Sequence, residues 1–224
     1  MNTVKFTAGG KEAALYTAAS SDCPLIVFNS FEGAAEAVVK ELENLTDREF
    51  NFLCVSRIDW NHDMSPWNCP ALFPNEPPFT GGADEYLELL TGEIIPQALK
   101  LIAGQPSHIS ITGYSLAGLF ALYAMYRTDV FARAASMSGS LWFPDFRDFA
   151  CCNQMKAHPD KLYFSLGDRE ARTRNPLMRT VQDNTEFLVS HFKEMGIDVT
   201  WELNPGNHFR DADIRSAKGI AAII

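Results

Sequence analysis

The 224-residue sequence predicts an α/β protein of three layers, with a mostly parallel central sheet of about eight strands. Three observations point that way. The runs "LIVF", "NFLCVSRI" and "HISIT" are short, apolar and rich in β-branched residues, as strands covered on both faces must be. Strand-like and helix-like segments alternate along most of the chain, which implies right-handed crossovers between parallel neighbours. The first two strand candidates lie too close together for a crossover helix, so the N-terminal end is expected to be an antiparallel hairpin.

Taken in order, strands are expected at Val4–Thr7, Glu12–Thr17, Pro24–Ser30, Asn51–Ile58, His108–Gly113, Ala132–Ser138, Lys161–Leu166 and Asp198–Leu203. Helical periodicity is clearest over Ala34–Leu45, Ala83–Ile102, Leu116–Tyr126, Asn175–Met195 and Asp211–Ala221. Gly196 is placed to stop the fourth helix, and Pro96 should bend or interrupt the second, because proline lacks the N–H that the helix ladder uses. Asp59–Gly82, rich in Pro, Trp and Asn, has neither period and reads as a long loop; loops of that length in compact domains are often functional. The segments between strands leave no room for a large cap domain beyond it, and the whole of residues 1–224 reads as one domain.

Composition excludes several classes of function. Nineteen Lys and Arg against twenty-eight Asp and Glu leave a formal charge of −9, so a nucleic-acid backbone finds no general attraction. No apolar run approaches a membrane span, and the N-terminus lacks the pattern of a secretory signal, so a cytoplasmic protein without membrane contact is expected. Five cysteines, two of them adjacent at Cys151 and Cys152, fit a reducing compartment. The histidines are scattered with no metal-ligand spacing, and neither a metal nor another cofactor is expected. The oligomeric state is left open.

In an open α/β sheet, sites form at the carboxyl ends of the strands. After "HISIT" stands Gly113-Tyr114-Ser115-Leu116-Ala117-Gly118, close to the G-x-S-x-G nucleophile elbow, with Ala117 in the place of the second glycine. A serine hydroxyl needs a positioned base, and "VTWELNPGNHF" carries a strand directly into a turn that ends at His208. A carboxylate should orient that imidazole. The preceding strand, "LYFSLGDRE", supplies two candidates, Asp168 and Glu170. The order Ser, acid, His is that of the α/β-hydrolases. The oxyanion hole should pair the Leu116 N–H with a second N–H after "LIVFNS", from Ser30 or Phe31.

The segments "GYSLAGLFALYA", "SMSGSLWFPDF", "YFSLGDREARTRNPLM" and "NPGNHFRD" resemble the esterase D-like branch of the α/β-hydrolases, nearest to the enterochelin (siderophore) esterases. The likeness runs from about Pro24 to the C-terminus. It implies the three-layer α/β-hydrolase fold and a serine carboxylic-ester hydrolase acting on a small or medium, siderophore-like ester. It also implies Glu170, three residues after Gly167, as the acid; a Ser–His dyad is the form some siderophore esterases take.

Tyr114, Trp60, Trp67 and Trp142 are the candidate substrate contacts. Ser138 and Ser140 read as structural or pocket-lining, and His62 as hydrogen-bonded in its loop. Arg57 reads as locally paired, and Arg169, Arg172 and Arg174 as a solvated cluster near the acid. The competing readings are an acyltransferase on the same scaffold and a hydrolase-fold binding protein without activity.

Overall fold

The computed structural model describes residues 1–31 and 35–224. Strands β1 (Asn2–Ala8) and β2 (Lys11–Thr17) form the expected hairpin, turned by Gly9 and Gly10 at positive φ. β3 (Leu25–Asn29) leads to helix α1 (Ala35–Leu45) and on to β4 (Asn51–Ser56). The expected start of that helix at Ala34 lies outside the described residues. The segment expected to be a plain loop instead holds a helical turn, α2 (Trp60–Asp63), and a small antiparallel ribbon, β5 (Asn68–Cys69) with β6 (Phe79–Thr80). Periodicity cannot reveal elements this short.

The long second helix is one continuous run with a defect where Pro96 requires it. α3 (Ala83–Leu89) passes through a π-helical turn at Leu90–Ile94 into α4 (Ile95–Leu99). The wider turn makes room for a proline ring that would otherwise meet a carbonyl one turn earlier. β7 (Ile109–Tyr114), α5 (Leu116–Arg127) and β8 (Arg133–Met137) follow. α6 (Phe146–Cys152) is a short helix the sequence did not announce. The remainder alternates: β9 (Lys161–Gly167), α7 (Val181–Glu194) entered through a 3₁₀ turn at Met178–Thr180, β10 (Asp198–Asn204) and α8 (Ala212–Ile223). Gly196 stops α7 at φ +84°, as expected.

The eight long strands form one sheet in the order β1-β2-β4-β3-β7-β8-β9-β10, antiparallel as far as β4 and parallel beyond it. Its two faces belong to separate cores, and single strands show the alternation that divides them. Leu25 and Val27 of β3 join α3 to α7 on one side, while Ile26 and Phe28 join α1 and α8 on the other. Leu53 and Val55 against Phe52 and Cys54 repeat the pattern in β4. This two-sided burial is why the sequence shows apolar runs there rather than strict alternation with polar residues. No helix among the described residues is long and apolar enough to cross a membrane.

Candidate active site

The site is built at the carboxyl edge of β7, β9 and β10. Ser115 sits between β7 and α5 at φ 61°, ψ −125°, a conformation that costs a non-glycine residue energy and that persists only where packing imposes it. Here the strand and the helix cross at very close range. A Cβ on Gly113 would lie 2.4 Å from the Ala117 carbonyl carbon and 2.5 Å from its Cβ, and one on Gly118 would lie 2.9 Å from the Ser136 hydroxyl. Alanine is tolerated at 117 because its Cβ occupies the space that Gly113 leaves empty.

The Ser115 hydroxyl lies 3.0 Å from His208 Nε2, and His208 Nδ1 lies 2.7 Å from Glu170 Oε2. An ionised carboxylate only accepts, so Nδ1–H donates to Glu170 and Nε2 is left to accept from Ser115. The Glu170 carboxylate is buried, with 4% of its side chain exposed. Burial pushes its pKa up, but the His208 hydrogen bond and charge, the Ser138 hydroxyl and the Gly167 N–H together outweigh it and hold the carboxyl below the usual range. Asp168, the alternative acid, is turned elsewhere. Its Oδ1 accepts from Gly206 N–H at 2.7 Å and so secures the turn that carries His208.

Leu116 opens α5, and the N–H at a helix start has no acceptor within the helix. Ser30 cannot supply the second oxyanion donor, because its N–H is spent on the Val55 carbonyl at 2.9 Å, a bond that extends the β3–β4 pairing. Phe31, the next residue, lines the cleft that opens over Ser115.

That cleft measures about 1120 Å³ and is walled by β3's end, α2, Pro77 and Pro78, and the start of α8. Trp60 and Tyr114 line it, and Trp60 meets Phe31 edge-on at 5.2 Å. Trp67 and Trp142 do not line it. Trp67 donates to the Pro144 carbonyl and packs among Tyr123, Phe143, Phe146 and Phe149, while Trp142 is buried against Phe79. Both pin the long segment to the core, Trp67 from within it and Trp142 through its contact with Phe79.

Of the remaining candidates, His62 lines the cleft with Nδ1 2.7 Å from the Thr80 hydroxyl. Arg57 pairs with Glu12 across the β2–β4 boundary, and Arg169, Arg172 and Arg174 are exposed outside the cleft.

The family model for "Putative esterase" matches residues 28–191, most of the chain, and the matched segment spans Ser115 and Glu170. The chain belongs to this esterase family. Solved structures agree in fold. An IroE-like serine hydrolase from Shewanella oneidensis superposes with a TM-score of 0.81 at 14% identity, over 99% of this chain and 79% of that one. The siderophore hydrolase EstA from Aspergillus nidulans gives 0.69 at 19% identity, over 98% and 92%. The enterobactin esterase FES from Shigella flexneri gives 0.71 at 15% identity, covering 99% of this chain and 58% of that one. No curated protein matches the chain.

Ser140, read from the sequence as structural or pocket-lining, stands with its Oγ 3.4 Å from Ser115 Oγ, and its N–H donates to the Ser115 carbonyl. One residue at the site was passed over by sequence reasoning: Arg215 of α8 is 1% exposed and reaches Glu170. A signal for it existed: Arg215 shares a helical row with Gly219 and Ile223, all buried, and a lone arginine on such a row requires a partner.

Proposed function

We propose that this esterase is a serine carboxylic-ester hydrolase working through an acyl-enzyme on a small or medium ester. The observation that carries the reading is the hydrogen-bonded line Glu170–His208–Ser115 at the floor of an open cleft. His208 Nε2 takes the Ser115 proton as Oγ attacks the ester carbonyl, and Glu170 stabilises the resulting imidazolium. The N–H groups of Leu116 and Phe31 are the donors assigned to the developing oxyanion. His208 then passes its proton to the leaving alcohol. Water, deprotonated by the same nitrogen, attacks the acyl-enzyme, and the acid departs as Ser115 recovers its proton.

The cleft lining supports an ester carrying an apolar or aromatic group and no strong negative charge. Phe31, Trp60, Pro77, Pro78 and Phe209 offer apolar surface, Asp59, Glu76 and Asp213 are the charged neighbours, and no Lys or Arg stands among the described lining residues. Four of the similar structures bear siderophore or enterobactin hydrolysis in their names, so a catecholate-bearing ester belongs in the test beside neutral aryl and alkyl esters.

The deciding experiment is labelling by a fluorophosphonate probe followed by turnover of that panel. Wild-type protein is expected to label at Ser115 and to hydrolyse neutral aryl esters; Ser115→Ala is expected to do neither while melting as wild type does. Absence of labelling in folded wild-type protein would favour a binding protein instead. Product analysis with added alcohol separates hydrolysis from acyl transfer.

A further inference from the structure

Arg215 makes contacts that reach each part of the site at once. Its Nη1 lies 3.1 Å from Glu170 Oε1 and 3.3 Å from both the Tyr114 and the Ser138 hydroxyls, while Nη2 donates to the Pro205 carbonyl at 3.1 Å. Tyr114 immediately precedes the nucleophile, and its hydroxyl donates to the His208 carbonyl at 2.8 Å. Pro205 begins the turn that ends at His208. One guanidinium on α8 therefore ties the acid, the approach to the serine and the histidine turn together.

The acid shows the effect most clearly. Glu170 Oε1 accepts from Ser138 Oγ at 2.7 Å, Gly167 N–H at 2.6 Å and Arg215, whereas Oε2 has, among the described residues, His208 alone. The donors on Oε1 fix the plane of the carboxylate and leave one oxygen to face the imidazole. The guanidinium also places a positive charge directly behind that carboxylate, in a buried setting where charges act strongly on each other.

We infer that Arg215 is a positioning residue of the reaction: it holds Glu170 in register with His208 and offsets the carboxylate's charge beside the imidazole. The inference rests on the serine-hydrolase reading only for its effect on turnover. Besides Arg215, the groups that face His208 are Glu170 and Tyr114 and, across the cleft, Asp59, His62, Glu76 and Asp213. Among the described residues, the four groups across the cleft make no side-chain hydrogen bond or ion pair with Arg215.

The test compares Arg215→Met and Arg215→Lys with wild type by two readouts: kcat and KM on a neutral aryl ester, and the pH titration of the His208 imidazole by NMR. In Arg215→Met the titration should move up, because a positive charge that opposes the imidazolium is removed. Its kcat should fall about 10- to 100-fold, as misplacing a catalytic group does, with KM within about threefold because Arg215 does not line the cleft. Arg215→Lys keeps the charge and should titrate with wild type, but its single ammonium cannot serve all four acceptors, so kcat should recover only in part.

A folded Arg215→Met with wild-type kcat and an unmoved titration overturns the inference, and so does a change confined to KM. Should Arg215→Met not fold, Arg215→Lys decides: full turnover overturns the inference, and reduced kcat at unchanged KM supports it. If wild type neither labels nor turns over any ester, the esterase mechanism fails, while the titration still reads what Arg215 does to His208.

Discussion

Replacing Glu170 by glutamine tests the site at the point where two candidate acids had to be separated. The substitution keeps the shape but removes the charge 2.7 Å from His208 Nδ1. A carboxylate and an imidazolium about 4 Å apart attract by about 4 kcal/mol at an effective dielectric of about 20, which corresponds to about three decades of rate. The amide can also present N–H to Nδ1 and trap the wrong tautomer; in the Ser-His-Asp template the equivalent change costs about 10⁴-fold. A loss in kcat/KM of about 10³- to 10⁴-fold is therefore expected. Asp168→Asn retains an oxygen for the Gly206 N–H and should stay within about threefold of wild type. The assay is hydrolysis of a small activated ester, with melting curves to show that both variants are folded. Glu170→Gln within tenfold of wild type would leave a Ser–His dyad as the better description, and a larger loss in Asp168→Asn would transfer the role to Asp168.

Three further outcomes follow from the packing and the charges. Because the Glu170 carboxyl is held below its usual range, its contribution to stability is present above the unfolded value of about 4.3 and is lost as pH falls through the lower folded value; wild-type Tm should thus drop more steeply than that of Glu170→Gln below about pH 4. Gly113→Ala should destabilise by about 1–3 kcal/mol in urea unfolding, and Ala117→Gly should not restore it, since the new Cβ also meets the 117 backbone, 2.4 Å from its carbonyl carbon. Lys11→Met removes the partner of Asp63, whose Oδ2 also accepts from Asp59 N–H at the start of α2. It should cost about 1–3 kcal/mol and raise KM, because α2 forms one wall of the cleft; an unchanged urea midpoint together with an unchanged KM would show that this pair does not brace the segment.

Ser115 and His208 were legible in the sequence because one directly follows a strand and the other closes the short turn after one, and strand ends in a parallel sheet share one edge. The eight strands were legible for a related reason: burial on both faces leaves unbroken apolar runs such as Leu25–Phe28, and parallel crossovers space them widely. The acid was narrowed to two residues but not resolved by position, since Asp168 and Glu170 leave the same strand end and differ only in the direction of their side chains. Ser30 and Phe31 likewise could not be told apart from sequence, and the pairing of the Ser30 amide with Val55 is a fact of strand register.

The aromatic residues of the long segment and Arg215 mark where sequence reasoning stops. Trp60 and Trp67 stand seven positions apart in the same unpatterned stretch, yet one faces the cleft and the other fills the core, because the helical turn α2 and its end at Met64 lie between them. Arg215 follows the histidine closely in sequence, but its partners come from β7, β8's end and the loop after β9. By itself the sequence determined the sheet, the strand-to-helix turn at Ser115 and the turn that carries His208 to the same edge, all of which depend on local pattern and chain order. Only the tertiary structure decided which carboxylate faces the imidazole, which aromatic side chains line the cleft and which cation stands behind the acid, because those depend on distances between segments far apart along the chain.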